Sequence, residues 1–347
     1  MIRYILYLLL FFVVLCAATC RNKTSNTSGD TLTVAFYNLD NLYDDIDDVD
    51  HDDQEFTPSG HYEWTSERYQ QKLENMAKVI SQLVDGQAPD VLGVCELESA
   101  KALTDLINTG NLKNRYSLVH YDSPDERGID VALIYNSNKF KLISSAKIPV
   151  VLSKNLKDKT RDQLFVKTLV LATNDTLCFY VCHFPSRREG KDESEINRFD
   201  AAITAKKFIN AHLNLATANL IVMGDFNDEP WDKSILEGLQ ALNINQKSDA
   251  TLLNLMWDFK SNGRGSYNYK GQMNCLDQLI ISRPLIDGEQ LKYKSKSVNI
   301  LDANWLTQTG KYEGFPLRTF GGSKWLNGYS DHYPVYLQIQ IQTNRNK

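Results

Sequence analysis

The sequence predicts an α/β protein in which β-sheets are sandwiched between helices. Three observations carry this reading. Short apolar runs of strand character recur from Leu32 to Ile341. Two longer segments with helical periodicity, near residues 66–84 and 193–213, are interleaved with them. No internal repeat or linker divides the chain, so residues 31–342 are expected to form a single domain.

Taken in order, Leu32, Val34 and Phe36 alternate in an opening strand that ends at Asn38. A loop with eight acids between Asp44 and Glu55 follows. The first helix spaces Tyr69, Leu73, Met76, Ile80 and Leu83 by four, three, four and three residues, and Gly86 and Pro89 stop it. Residues 90–95 read as a short buried strand that delivers Glu96 at its end. Strands and loops then alternate through 131–134, 165–172 and 177–182, the last of which delivers His183. The second helix is expected to turn Ile196, Phe199 and Ile203 inward. Residues 219–223 form a central-strand run ending at Gly224-Asp225, residues 279–281 follow Asp277, and residues 334–341 close the chain as an alternating strand.

Hydrophobic content of 42% and aromatic content of 10% exclude general disorder. The formal charge of -5 gives weak long-range attraction for polyanions. That argues against a tight, sequence-blind duplex binder, though not against an enzyme that grips one phosphate locally. Arg3 and the apolar residues 4–18 read as a signal peptide over 1–19. Cys20 and the polar stretch to residue 30 resemble the acylated cysteine and tether of a bacterial lipoprotein, with Ala17 standing where Leu is usual. A soluble secreted or periplasmic protein and a retained membrane helix are the alternatives. Cys95, Cys178, Cys182 and Cys275 are too few for a disulfide scaffold and lack metal-site spacing. Cys178 and Cys182 would sit on one strand face roughly 13 Å apart, too far to pair. All four are expected as buried free thiols.

The chemistry-bearing residues cluster at strand tips, where loops gather. Ser330-Asp331-His332 sets a carboxylate beside an imidazole, Asp225-Phe226-Asn227 sets a carboxylate near an amide, and Asp277 opens another strand. Phosphate-ester hydrolysis needs this set: carboxylates for a hard cation, a base for water, and neutral donors for phosphoryl oxygens. Each segment has a plainer reading as well. Asp225 and Asn227 suit a turn, His332 suits a satisfied core position, and Glu96 with Glu98 suits a helix start.

Taken jointly and in order, six segments resemble the endonuclease/exonuclease/phosphatase superfamily. They are Phe36-Tyr37-Asn38-Leu39-Asp40-Asn41-Leu42, Asp90 through Glu96, His183-Phe184-Pro185-Ser186-Arg187-Arg188, Gly224 through Pro230, Leu276-Asp277-Gln278 and Ser330-Asp331-His332. The resemblance implies a four-layer α/β/β/α sandwich of two mixed sheets. It implies Glu96 as the principal Mg2+ ligand, supported by Asn38 and Asp331, with Asp40 near a second ion and Mn2+ as a substitute. It further implies His332 as the base oriented by Asp277, Asp225 positioning the nucleophile or protonating the leaving oxygen, Asn227 holding a phosphoryl oxygen, and His183 contacting the phosphate.

These roles make the chain a metal-dependent phosphodiesterase, expected as a monomeric, extracytoplasmic nuclease acting on DNA or RNA. A phosphatase or phosphodiesterase for sugar, inositol or lipid phosphates is the alternative, and a non-catalytic surface lipoprotein the remote one. Ser186 and Arg187 either grip a phosphate or belong to a solvated loop pairing with Asp192, Glu193 and Glu195. Arg127 is expected beside the cleft, with the role of Asp130 open. The Asp44–Asp53 acids lack the glycine and closing glutamate of an EF-hand; a solvated loop is expected in preference to a Ca2+ site. The aromatics from Trp305 to Tyr329 are expected to pack a long loop onto the body.

Overall fold

The structure, a computed structural model, describes residues 31–48, 50–246 and 248–342. The leader, Cys20 and the tether to residue 30 lie outside the described residues. Two seven-stranded mixed sheets form the body. The first runs Leu291–Tyr293, Val335–Ile341, Thr31–Leu42, Val91–Leu97, Asp130–Asn136 and Tyr116–His120, with Asn299–Ile300 also paired to Val335–Ile341. The second runs Phe140–Ile148, Gln163–Val170, Asp175–His183, Leu220–Asp225, Asp277–Ser282, Leu252–Asn254 and Ala241–Asn243. Each is mixed: Thr31–Leu42 lies parallel to Val91–Leu97, and Asp175–His183 parallel to Leu220–Asp225, among antiparallel neighbours.

Alternation along the strands builds the layers. On Asp175–His183, Leu177, Phe179 and Val181 face the first sheet, while Cys178, Tyr180 and Cys182 face the helix Glu195–His212. The helices Ser66–Ser81 and Ala100–Ile107 belong to the same inner core as the first sheet. Each aliphatic side chain withdrawn from water here is worth about 1.5–3 kcal/mol. Gly93 lets the second sheet pack close, since a Cβ there would lie 2.5 Å from Met223 Sδ. All four described cysteines are buried free thiols.

The helix Ser66–Ser81 starts where the Thr65 side chain accepts from Arg68 N and buries Tyr69, Leu73, Met76 and Ile80, as its spacing predicts. The other long helix differs from expectation. Ile196 is 41% exposed, and the buried face is Arg198, Ala201, Ala202, Ala205, Lys206 and Ile209. Arg198 turns the helix: its guanidinium meets Asp228 at 2.7 Å and donates to Ser194 Oγ and the Lys191 carbonyl. An arginine held by one ion pair and two hydrogen bonds therefore occupies a position that periodicity assigns to apolar groups.

The acidic loop is more tightly held than a solvated loop. Asp44 and Asp53 are buried, Glu98 Oε2 accepts from Asp44 N at 2.7 Å, and Asp53 Oδ2 accepts from Asp48 N at 2.9 Å. Most aromatics of the 305–329 segment pack down, while Tyr312 stays exposed. Phe320 and Trp325 ring Trp64, and Trp305 meets Tyr329 edge-on at 5.4 Å. Among the described residues no helix is long and apolar enough to cross a membrane.

Candidate active site

The register that fixes the sheets also gathers the site. In the second sheet His183 pairs with Asp225 and Asp225 with Asp277, so three neighbouring strands deliver three functional side chains in one row. In the first sheet Asn38 lies beside Cys95, which leaves Glu96 next in line, and Ser330-Asp331-His332 leads into the closing strand. The two rows meet at Asn38, whose Nδ2 donates to Glu96 Oε1 at 3.1 Å and to Asp225 Oδ2 at 3.3 Å.

The backbone is bent to achieve this. Asp40, Asn41, Glu96 and Asn227 have φ of +50°, +56°, +57° and +49°, a region that residues with a Cβ seldom adopt. Such conformations persist where surrounding contacts over-determine them. Here Asn38 Oδ1 accepts from Asp40 N at 2.9 Å, Glu96 Oε2 from Asn41 N at 3.2 Å, and Asp225 Oδ1 from Asn227 N at 2.9 Å.

His332 is 6% exposed, with Nδ1 2.6 Å from Asp277 Oδ2. Ser330 Oγ accepts from His332 N at 3.0 Å and donates to the Asn38 carbonyl at 2.8 Å, and the Tyr267 ring lies 4.7 Å from the imidazole. This clamp leaves Nε2 near Asp225, at 3.8 Å, and Asp331, at 4.0 Å. Burial opposes a charged imidazole, yet Asp277, helped by Asp225 and Asp331, holds His332 well above its ordinary value. His183 is the converse. Burial, then Arg161 and Arg127, keep it well below its ordinary value and hence neutral. Its Nε2 lies 3.7 Å from Asp225 and 3.8 Å from Glu96.

Burial raises the Asp225 carboxyl to about 6, with Asp277 adding to the shift and His332 opposing it. Burial, reinforced by Asp40, raises Asp331 to about 7. Glu96, His183 and Asp225 bring three ligand atoms within 4.8 Å of one another, as do Asp225, Asp277 and His332. Crowded carboxylates with raised pKa are what a divalent cation relieves, and the cluster of Glu96, His183 and Asp225 could hold one. Asp40 is differently placed. Its Oδ2 accepts from Thr319 N at 3.1 Å, and although burial opposes its charge, Lys72 and Arg318 keep its pKa low. His120, Asp122 and Asp130 also bring three ligand atoms within 4.8 Å, but Asp130 is engaged by His120 at 2.8 Å and by Ser123 N at 2.9 Å. The part Asp130 plays is therefore to hold the loop that precedes it.

Of the residues expected to touch substrate, Asn227 Nδ2 donates to the Phe184 carbonyl at 3.1 Å. Arg127 is partly exposed, 3.4 Å from Asp125, and its carbonyl accepts from Tyr43. Ser186 is exposed. Arg187 pairs with Asp228 at 3.3 Å and Asp232 at 3.0 Å, not with Asp192, Glu193 or Glu195, and donates to the Asn227 carbonyl. It braces the Asn227 turn.

Four residues at the site escaped sequence reading. Lys72, fully buried, donates to the carbonyls of Asp40 at 3.2 Å and Tyr329 at 2.7 Å and to Thr319 Oγ1. Arg161, 6% exposed, bonds Asp125 and the Phe184 carbonyl. Arg318 and Tyr267 flank Asp331 and His332. Only Lys72 carried a signal, as a charge at helical spacing from Tyr69 and Met76 on an apolar face.

Fold and site together define a hydrolase core with two packed sheets and an acid–histidine centre at their shared end. Residues 33–341 match the sequence profile of the Endonuclease/Exonuclease/phosphatase family, and the chain belongs to that family. No curated protein matches it in sequence. Among solved structures it is similar to D. rerio TDP2 complexed with single-strand DNA product, at 13% identity and a TM-score of 0.56 over 90% of this chain and 100% of that one. It is also similar to a mannosyl-6-phosphatase of Bacteroides thetaiotaomicron, at 15% identity and a TM-score of 0.54 over 89% and 100%. The human Nocturnin catalytic domain, at 15% identity and a TM-score of 0.52, aligns over 90% and 95%.

Proposed function

We propose that this chain is a Mg2+-dependent phosphoesterase that hydrolyses phosphodiester bonds in DNA or RNA outside the cytoplasm. The observation that carries the reading is the Asp277–His332 pair at 2.6 Å, with His332 Nε2 turned toward Asp225 and Asp331. A histidine so held is a strong, oriented proton acceptor. It takes a proton from the attacking water, whose oxygen adds to phosphorus in line with the departing ester oxygen. Asp225, 3.8 Å from His332 Nε2, positions that water, and the departing oxygen takes its proton from solvent. Neutral His183 and the Asn227 amide donate to phosphoryl oxygens. Glu96 and Asp331, with Asn38 orienting Glu96, would hold Mg2+, or Mn2+ in its place, which polarises the phosphoryl group when bound.

The leader and Cys20 support export and lipid attachment to the cell envelope, with the domain working as a monomer. A second reading, a phosphatase for sugar, inositol or lipid monoesters, uses the same centre and is favoured by the cationic Arg318 beside it. A panel of plasmid DNA, RNA and small phosphate esters, each with Mg2+, Mn2+ or EDTA, tests the proposal. Metal-dependent strand cleavage supports it. Phosphate release from monoesters without cleavage moves the protein to the second reading, and inertness toward all substrates overturns both.

A further inference from the structure

Arg318 is the one guanidinium bonded directly to an acid of the proposed metal set among the described residues. Its Nη2 lies 3.0 Å from Asp331 Oδ2. The residue sits in the long 305–329 segment, beside the aromatic packing of Phe320 and Trp325 on Trp64. Its backbone neighbours are pinned. Thr319 N donates to Asp40 Oδ2 at 3.1 Å, Thr319 Oγ1 accepts from the buried Lys72 and donates to the Tyr329 carbonyl, and Tyr329 N donates to the Leu317 carbonyl at 2.6 Å. The side chain is therefore delivered to the carboxylate cluster from a rigid base, and 44% of it remains exposed. Its Nε is buried without a partner, so the five-donor fork is only partly used. Arg161 and Arg187 instead pair with acids outside the proposed metal set, Asp125 and Asp228 with Asp232.

We propose that Arg318 is a specificity-determining residue that binds the non-bridging oxygens of the phosphoryl group under attack and favours a terminal phosphate over an internal diester. The inference rests on the phosphoesterase chemistry above and, within it, sides with the second reading, a phosphatase for monoesters. A monoester dianion offers three non-bridging oxygens and two charges, whereas a diester offers two oxygens and one charge. A fixed guanidinium discriminates between them by charge and by bidentate fit. The reaction it biases is unchanged in kind. Water adds to phosphorus, the P–O ester bond breaks with its electron pair going to the departing oxygen, and that oxygen takes a proton to leave as an alcohol beside inorganic phosphate.

The test compares kcat/KM for 4-nitrophenyl phosphate and bis(4-nitrophenyl) phosphate at pH 8 in wild type, Arg318→Ala and Arg318→Lys, with a Mg2+ titration and a thermal melt for each. We expect Arg318→Ala to lower the monoester value about 10- to 100-fold more than the diester value, mainly through KM, with the Mg2+ midpoint and melting temperature little changed. Arg318→Lys keeps the charge but not the fork and should recover part of the difference. Equal losses on both substrates, or a shift of the Mg2+ midpoint that accounts for the loss, would make Arg318 a structural counter-ion of Asp331 and overturn the proposal. Wild-type inertness toward both compounds would instead overturn the phosphoesterase reading on which it stands.

Discussion

Replacing Asp277 with Asn removes one charge from the 2.6 Å contact with His332 while keeping the side chain's shape. Both partners are almost fully buried, so little water screens the pair. With charge centres about 4 Å apart in an effective dielectric near 20, the lost attraction is about 4 kcal/mol, or roughly three pKa units on His332. If about half of that is felt in the transition state, kcat falls about 30-fold, and loss of ring orientation brings the total to about 10²–10³-fold. The pH profile supplies the sharper signature. His332 acts as a base only when neutral, so its raised pKa places the ascending limb of the kcat profile well above pH 6.5. Asp277→Asn should move that limb to lower pH while lowering the plateau, with the Mg2+ midpoint unchanged. The assay is steady-state hydrolysis of bis(4-nitrophenyl) phosphate from pH 5 to 10. A kcat within threefold of wild type, or an unmoved limb, would refute the role given to the pair.

Further expectations concern the metal and the support beneath it. Glu96→Gln removes a carboxylate charge from the proposed ligand set and should raise the Mg2+ concentration for half-maximal activity by about 10- to 100-fold, read from metal titrations. Lys72→Met leaves the Asp40 and Tyr329 carbonyls without their buried donor; urea unfolding should show a loss of about 3 kcal/mol. In the metal-free protein, Asp225 and Asp331 keep protons to about 6 and 7, well above the values for an unfolded chain. The native state thus binds more protons than the unfolded state between about pH 4 and 7, so stability falls as pH rises through that window. A divalent cation held as proposed would bind the deprotonated set, so the effect of Mg2+ on melting temperature should be larger at pH 8 than at pH 5 in thermal-shift measurements.

The strand-tip functional residues were legible because each closes an apolar run: Glu96 after Val91 to Cys95, Asp225 after Leu220 to Gly224, and His183 after Leu177 to Cys182. Alternation and helical spacing report what faces the core, and a polar residue just beyond such a run is conspicuous. Their convergence is another matter. Asp277 and His332 are 55 residues apart, and only strand register and sheet-on-sheet packing bring them within hydrogen-bond reach; family resemblance, not periodicity, supplied that pairing. The supporting cations were hidden for a related reason. Arg198, Arg161 and Lys72 are buried because distant acids or carbonyls satisfy them. A one-dimensional pattern scores such residues as surface, which is why the inward face assigned to the second helix was rotated and why Arg318 went unmarked in an aromatic loop.

The most direct test of the central claim is metal-dependent hydrolysis of bis(4-nitrophenyl) phosphate and plasmid DNA by the purified protein, with EDTA and His332→Ala as paired controls. The account predicts turnover that EDTA abolishes and that His332→Ala lowers by about 10²–10⁴-fold while leaving the melting temperature in place. Turnover that survives in the folded His332→Ala protein would contradict it.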